Sequence, residues 1–560
     1  MAVGSVRLEA AVWLVYALAA AQTMLWIPGT RMAFKARALS SWRTLSWEAA
    51  IAWAVLLFVL GTWVVLLRAP VTGWDAAVAH LALAKDYIRE GRIGLMPGNS
   101  YSAFPQLMQA LYTIALFHGG EWSASMVNWI FGALACLAAC VLARRMAGEV
   151  AGYVAAAATA AMPVFVSQLS APGVDLPFAA VVLCGLAAWI CADQENRPEW
   201  LAVSGALLGS SFGIRHTGLY AAALMVIVVL LARSPGRIRW TVIVVLAVGA
   251  GALPWLVRSF WLTGNPVYPF LASWMPSEGL PSDELARVGA HESVRGGNPL
   301  AALVFYGNVI LFPHHYDGWM QSPGMVPLVL GLPGLLLAGR YGRWMGAFSI
   351  AGVTGLFFFR QFARYLFPFY LPMMPVGGAV VSHKGRFRPW ALLLIGVSYV
   401  VGVTMTMAFA SVKAPVACGW ISKQGYLQSR VERYAAFQWV NENLPHDAMV
   451  LMIDPRAYYV DRRTVSDFEM IKALVPLDDR SRLDWLRDKG ITHVLHARRY
   501  AEESPGFRET GVLGVIEKWR GDSSHFEIVY RENVPTTRNS GSDVVEIYRV
   551  KGLGESSGVH

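Results

Sequence analysis

The sequence predicts an α-helical polytopic membrane protein of about twelve spanning helices, followed by a small C-terminal α/β domain. Three observations carry this. Only 15% of the 560 residues are charged and 55% are hydrophobic, whereas a soluble globular protein carries about 25% charged residues. The shortage is uneven: long stretches before residue 411 hold almost no charge, while 411–560 reads as an ordinary soluble sequence. Short basic segments also recur between alternate apolar runs.

A helix that crosses a bilayer needs about 20 mostly apolar residues. Such runs, several of them short, lie at 9–27, 47–67, 123–143, 149–169, 174–192, 200–213, 217–232, 240–258, 324–340, 344–360, 365–382 and 390–410. The 200–213 and 217–232 pair also suits a hairpin of half-spanning helices around Arg215-His216. Alternate loops read "RMAFKARALSSWR", "ARRMAGE", "RSPGRIR", "GRYGR" and "HKGRFR". If the helices alternate, all these loops share one side, which the positive-inside rule makes the cytoplasm. Both termini then lie on the far side. "VYALAAAQ" in the first run resembles a signal-peptide cleavage site. Cleavage there would leave the basic segment 31–43 translocated, so the run is read as a retained helix. The domains follow: 1–410 in the membrane, with an external loop 68–122, and 411–560 as an extracytoplasmic α/β domain.

The far-side segments hold the informative residues. They are the loop 68–122, Asp175 beside the turn 170–174, the Arg215-His216 turn, the loop 258–323, the "RQFAR" turn and the tail. Ionisable groups inside or beside apolar helices are costly and mark function by default. Their collection on one face argues against a transporter or lipid flippase, which would place them at the midplane between repeated halves. In "VTGWDAAVAHLALAKDYIREGRIG" the pattern predicts a helix over 75–90, with Thr72 or Asp75 as N-cap and Gly91 as terminator. That helix is too short and polar to span, so it is expected to lie along the outer surface. A second, more apolar helix is expected over 101–118, interfacial or partly re-entrant. Asp75 reads either as a cap of its own helix or as a catalytic carboxylate.

Other classes find less support. The net charge of +10 sits in short interhelical loops, so no nucleic-acid partner is expected. The five cysteines show no CxxC and no Cys/His zinc spacing. "PHHYD" at 313–317 offers His314, His315 and Asp317, a weak metal pattern without further spaced ligands; no cofactor is expected. The region 431–550 alternates helix and strand: "ERYAAFQWVNENLP" and "RSRLDWLRDKG" as helices, "AMVLMID", "YYVDRRTV", "ITHVLHA" and "DVVEIYRV" as strands. No Gly-rich phosphate loop follows any of these strands.

These residues resemble a family. "WDAAVAHLALAKDYIREGRI" followed by "YSAFPQLMQALY" is similar to the first external loop of the bacterial GT-C membrane glycosyltransferases. That group surrounds the protein O-mannosyltransferases and the aminoarabinose transferase that modifies lipid A. "GVDLPFA", "FGIRHTGL", "RSFWLTGNPVYPF", "RQFARYLFPFYLP" and "LPHDAMVLMID…YYVDRR" match in the same order, over residues 47–500. The resemblance implies transfer of a sugar from a polyprenyl-phosphate carrier to a lipid, glycan or protein acceptor on the outer side of the inner membrane. It also implies a catalytic carboxylate in the first external loop, here Asp75. Some relatives carry an acidic pair there. Asp75 has no adjacent acid, so the protein-mannosylating subgroup fits less well and the acceptor stays open.

The chemistry is consistent with that inventory. A lipid phosphate is a good leaving group near neutral pH and needs cations more than a proton. One carboxylate acting as base on the acceptor hydroxyl, with Arg or Lys clamps on the phosphate, suffices. The substrate-binding candidates are His80, Lys85, Asp175, Arg215, His216, Arg258, Arg364 and Tyr365, with no metal ligand among them. A transporter or flippase, and a non-catalytic cell-envelope assembly protein, are the competing readings.

Overall fold

The structure is a computed structural model. It describes residues 6–7, 46–96, 98–232, 236–271, 274–275, 299–359, 361–383, 385–466, 468–472, 474–503, 511–535 and 542–551. The expected helix 9–27 and the basic segment 31–43 lie outside the described residues. The chain divides into two compact units. A helical unit holds the residues up to Ala69 together with Phe104–Cys418; a sheet unit holds Pro70–Ala103 together with Gly419–His560. The composition shift at 410/411 therefore does not mark where the units part. The helix that begins at Arg388 runs on to Ala417, and residues 70–103 of the first external loop group with the tail, while 104–122 belong to the helical unit.

In the helical unit, α1 spans Trp47–Leu66 and is capped by Ser46, whose hydroxyl accepts from the Ala49 amide. In the sheet unit, α2 spans Leu81–Glu90. Back in the helical unit come α3 (Leu107–Ala147), α4 (Glu149–Ala160), α5 (Pro163–Gln168), α6 (Asp175–Glu195), α7 (Glu199–Ile214), α8 (Thr217–Leu231) and α9 (Arg237–Thr263). The unit closes with α10 (Pro299–Leu311), α11 (Gly339–Phe357), α12 (Met373–Ser382) and α13 (Arg388–Ala417).

Among the described residues, five helices are long and apolar enough to cross a membrane singly, or six if the bent pair Ala363–Tyr370 and Met373–Ser382 counts as one. Other expected spans are broken. The run 149–169 divides at Met162, where Pro163 starts a new helix. The run 324–340 holds a π turn at Pro327–Gly331 and a short helix at Leu332–Gly334, with Pro327 and Pro333 in place of amide donors. The expected helix over 101–118 is present from Leu107 onward: a 3₁₀ turn at Ser100–Ala103 precedes α3, and α3 is two helices joined at a kink at Gly120, whose dihedrals (φ 67°, ψ −161°) are non-helical.

Burial follows composition. α6 is apolar all round and almost wholly buried, as expected of a central helix. α9 and α13 leave Ile238, Val242, Leu246, Leu253 and Phe260, and Trp390, Leu393, Val397 and Val400, exposed at helical spacing. Such apolar stripes on a polytopic chain face lipid. α7 carries Gly205, Gly209 and Gly213 four residues apart; side chains there would meet Val244, Val248 and Trp255 of α9. This small-residue seam lets the two backbones approach closely.

The five-stranded sheet of the sheet unit consists of β1 (Met449–Met452), β2 (Arg463–Val465), β3 (His493–Ala497), β4 (Phe526–Pro535) and β5 (Ser542–Val550). Their spatial order is β2-β1-β3-β5-β4. β1 pairs in parallel with β2 and β3, and β5 pairs antiparallel with β3 and β4. Helices α14 (Asp479–Asp488) and α15 (Val512–Gly521) cover one face, burying Leu451, Val465, Leu486, Val494, Ile516, Trp519 and Tyr548 in one core. The strand β4 is absent from the sequence reading because "FEIVYRENVP" lacks the strict apolar–polar alternation that marks a half-buried strand: Ile528, Val529 and Tyr530 are consecutive, as are Arg531, Glu532 and Asn533.

Candidate functional site

Two charged clusters mark opposite ends of α6. Its 21 residues extend about 31 Å at 1.5 Å per residue. At the C-terminal end, Asp193 pairs with Arg340 and Glu195 pairs with Arg145. The Tyr341 hydroxyl also donates to Asp193 at 2.5 Å. Two of the basic loops thus meet on one helix end. A third, at 383–388, pairs Arg388 with Glu48 at the start of α1.

At the N-terminal end, Asp175 is the first residue of α6 and is 5% exposed. Its carboxylate accepts from Arg215, which stands in the break between α7 and α8 with extended backbone. Arg364 Nε lies 4.0 Å from the same carboxylate and 3.4 Å from Asp317 Oδ2. The Arg215 guanidinium carbon sits 3.4 Å from the centroid of the Tyr365 ring, a cation–π contact. Two carboxylates, two guanidiniums and a tyrosine are therefore gathered at one end of the bundle, from four separate chain segments.

The turn before Asp175 is built for this. Tyr112 donates to the Gly173 carbonyl at 2.5 Å, and Asn128 donates to the carbonyls of Gln168 and Ala171 at 2.8 and 3.2 Å. Lys413, 6% exposed near the end of α13, donates to the Ser170 carbonyl at 3.0 Å. The sequence reading misses Lys413 because the last apolar run ends at 410. Asp317 was considered only as a metal ligand, and it is an ion-pair partner of Arg364. The rings of neighbouring His314 and His315 lie 4.0 Å apart at a tilt of 42°, and His314 stacks on Trp319. Among the described residues, no group of three or more His, Cys, Asp or Glu side chains is arranged to hold a metal.

His216 and Arg258 make neighbouring structural contacts. His216 Nε2 lies 2.7 Å from the Tyr268 carbonyl, with Phe104, Phe212 and Phe270 edge-on around its ring. Arg258 donates to the Phe104 carbonyl at 3.0 Å.

Asp75, His80 and Lys85 belong to the sheet unit. Asp75 has helical dihedrals (φ −61°, ψ −34°) and accepts no capping hydrogen bond. A π turn, Ala76–His80, follows directly and leads into α2; such turns recur at functional sites. Gly91 closes α2 in the left-handed conformation (φ 64°), as the sequence predicts. Lys85 donates to the Tyr458 and Val460 carbonyls at 2.9 and 3.0 Å and to Asp461 at 2.5 Å. An ammonium has three donors, so none is left for a phosphate in this arrangement. Arg89 pairs with Asp86 at 3.1 Å. Burial pushes the Asp86 carboxyl up to about 6 and the Lys85 ammonium below its ordinary value.

The fold has solved counterparts. ArnT from Cupriavidus metallidurans, crystallised with undecaprenyl phosphate, superimposes with a TM-score of 0.58 at 15% identity, over 91% of this chain and 99% of that one. The oligosaccharyltransferase of Archaeoglobus fulgidus in the apo form gives 0.56 at 14% identity, over 89% and 81%. The mycobacterial arabinofuranosyltransferase AftD gives 0.53 at 14% identity, over 90% of this chain and 40% of that one.

The fold is GT-C.

Residues 104–261 also match the family described as dolichyl-phosphate-mannose-protein mannosyltransferase. That match includes Asp175, Arg215 and Arg258 and begins beyond Asp75. No curated protein matches the chain. The GT-C fold accounts for the mostly helical architecture with a small C-terminal sheet.

Proposed function

We propose that this chain is a membrane glycosyltransferase. It moves a sugar from a polyprenyl-phosphate carrier to a hydroxyl acceptor at the extracytoplasmic face of the inner membrane. The observation that carries this is a GT-C fold matching ArnT with undecaprenyl phosphate over nearly its whole length. An oligosaccharyltransferase of the same fold is known with a dolichol-phosphate and an inhibitory peptide. A fold hosts many functions, so the residues must supply the rest.

The chemistry assigns roles. Asp75 takes the proton of the acceptor hydroxyl. The acceptor oxygen attacks the anomeric carbon, and the bond from that carbon to the phosphate oxygen breaks. The electron pair leaves with the polyprenyl phosphate, whose growing negative charge is met by cations. Arg364 and Arg215 are those cations, since guanidinium–phosphate pairs are charge-assisted and fork-shaped. Asp175 and Asp317 hold the two guanidiniums in place before the donor arrives. The sidedness rests on the basic loops at the opposite end of α6.

The test is reconstitution with radiolabelled polyprenyl-phosphate sugars. Asp75→Asn is expected to lower turnover by about a hundredfold or more with little change in donor binding. Arg364→Ala is expected to raise donor KM about tenfold. Wild-type turnover in Asp75→Asn removes the base assignment.

A further inference from the structure

The proposed mechanism does not use the C-terminal sheet, yet the sheet folds with the loop that carries Asp75. We infer that the sheet unit is the rigid mount of Asp75, and that Lys85 is its principal positioning residue. This rests on the reading of Asp75 as the base.

The attachments bracket Asp75 on both sides. Before it, the Tyr459 hydroxyl donates to the Val71 carbonyl at 2.9 Å. Trp74, the residue next to Asp75, stacks on Tyr500 with centroids 5.8 Å apart, and the Arg456 guanidinium lies 5.5 Å from its ring. Beyond it, Lys85 spends its three donors on the 458–461 turn. Glu90 pairs with Arg463 at 3.0 Å, and the Ser466 amide donates to the Gly98 carbonyl at 3.2 Å. Each of these contacts links residues more than 350 positions apart in the chain.

The far ends of these contacts are themselves fixed. Asp454, fully buried at the end of β1, accepts from Arg456 at 2.9 Å and from Arg433 at 3.0 Å. Arg433 also donates to Asp543 of β5 at 2.8 Å. Tyr459 stacks on Phe437 with centroids 5.9 Å apart. Buried, satisfied networks of this kind hold one arrangement. α2, ten residues long, is too short to be stable as an isolated helix. Its position, and with it the position of Asp75 across the adjoining π turn, is set by what it is tied to. Among these ties of the described residues, Lys85 combines charge with three hydrogen bonds.

The experiment uses the full chain in lipid nanodiscs, with steady-state kinetics and hydrogen exchange on Lys85→Met, Asp461→Asn and Asp75→Asn. Misplacing a catalytic group by about 1 Å costs about a hundredfold. Lys85→Met is therefore expected to lower kcat ten- to a hundredfold, with donor KM within about threefold. Amide exchange over 76–90 should rise while exchange over 175–195 and 449–452 stays unchanged. Asp461→Asn, which spares both carbonyl bonds, should show the same pattern with a smaller loss. An unchanged kcat in Lys85→Met, a fall without faster exchange over 76–90, or an effect confined to acceptor KM overturns the mount while Asp75→Asn is still inactive. A fully active Asp75→Asn overturns the base assignment and the mount with it.

Discussion

Asp175 and Arg215 form a buried pair whose side chains are 7% and 15% exposed. Removing one partner strands the other charge in a low-dielectric setting, which typically costs about 3–5 kcal/mol. Arg215→Ala is therefore expected to lower thermal stability in detergent by about that much, and adding Asp175→Asn should recover part of the loss. In the sheet unit, His496 is 2% exposed, and burial holds its imidazole down to about 4; burial does the same for His493. The unfolded imidazoles titrate near 6.5. Between those values the unfolded chain binds more protons, so stability falls as pH drops from 6.5 to 4. Asp86, raised to about 6, acts in the opposite sense between about 3.8 and 6, one carboxyl against two histidines. Acid unfolding followed by tryptophan fluorescence should show the loss, and His496→Phe should flatten it. The sequence makes Asp175, Arg215 and Arg364 legible because a charge beside an apolar run has few bland explanations. It offers Asp317 only as part of a weak metal pattern, and it misses Lys413, which lies past the end of the last apolar run.

The elements show the same division. Apolar runs place most helices within a few residues, since lipid burial writes hydrophobicity directly into sequence. They do not show that prolines break 149–169 and 324–340 into pieces. The α7–α9 seam is a packing feature that hydropathy does not register. A side chain at Gly209 would run into the Val248 backbone. Gly209→Leu is thus expected to destabilise the bundle by about 1–3 kcal/mol, measured as a fall in unfolding temperature, with Gly249→Leu as control because its site is open.

For the whole molecule, the two charged ends of α6 give the topology a physical basis. Cys418 is exposed just past α13, and Arg386 is exposed just before it. The 30 residues of α13 reach about 45 Å, more than a bilayer core. In intact spheroplasts an impermeant thiol reagent should label Cys418 but not Arg386→Cys, which should react only after permeabilisation. Labelling of both from one side would overturn the helix register. The union of 70–103 with the tail was not legible, because the residues that tie them are separated by nearly the whole membrane unit.

The most direct measurement is release of labelled sugar from polyprenyl phosphate by the purified chain in proteoliposomes. The wild-type protein should show lipid-dependent loss of sugar, and Asp75→Asn a rate lower by about a hundredfold or more. A folded wild-type protein that consumes no polyprenyl-phosphate sugar from a broad donor panel, in the presence of lipid, glycan and peptide acceptors, would contradict it.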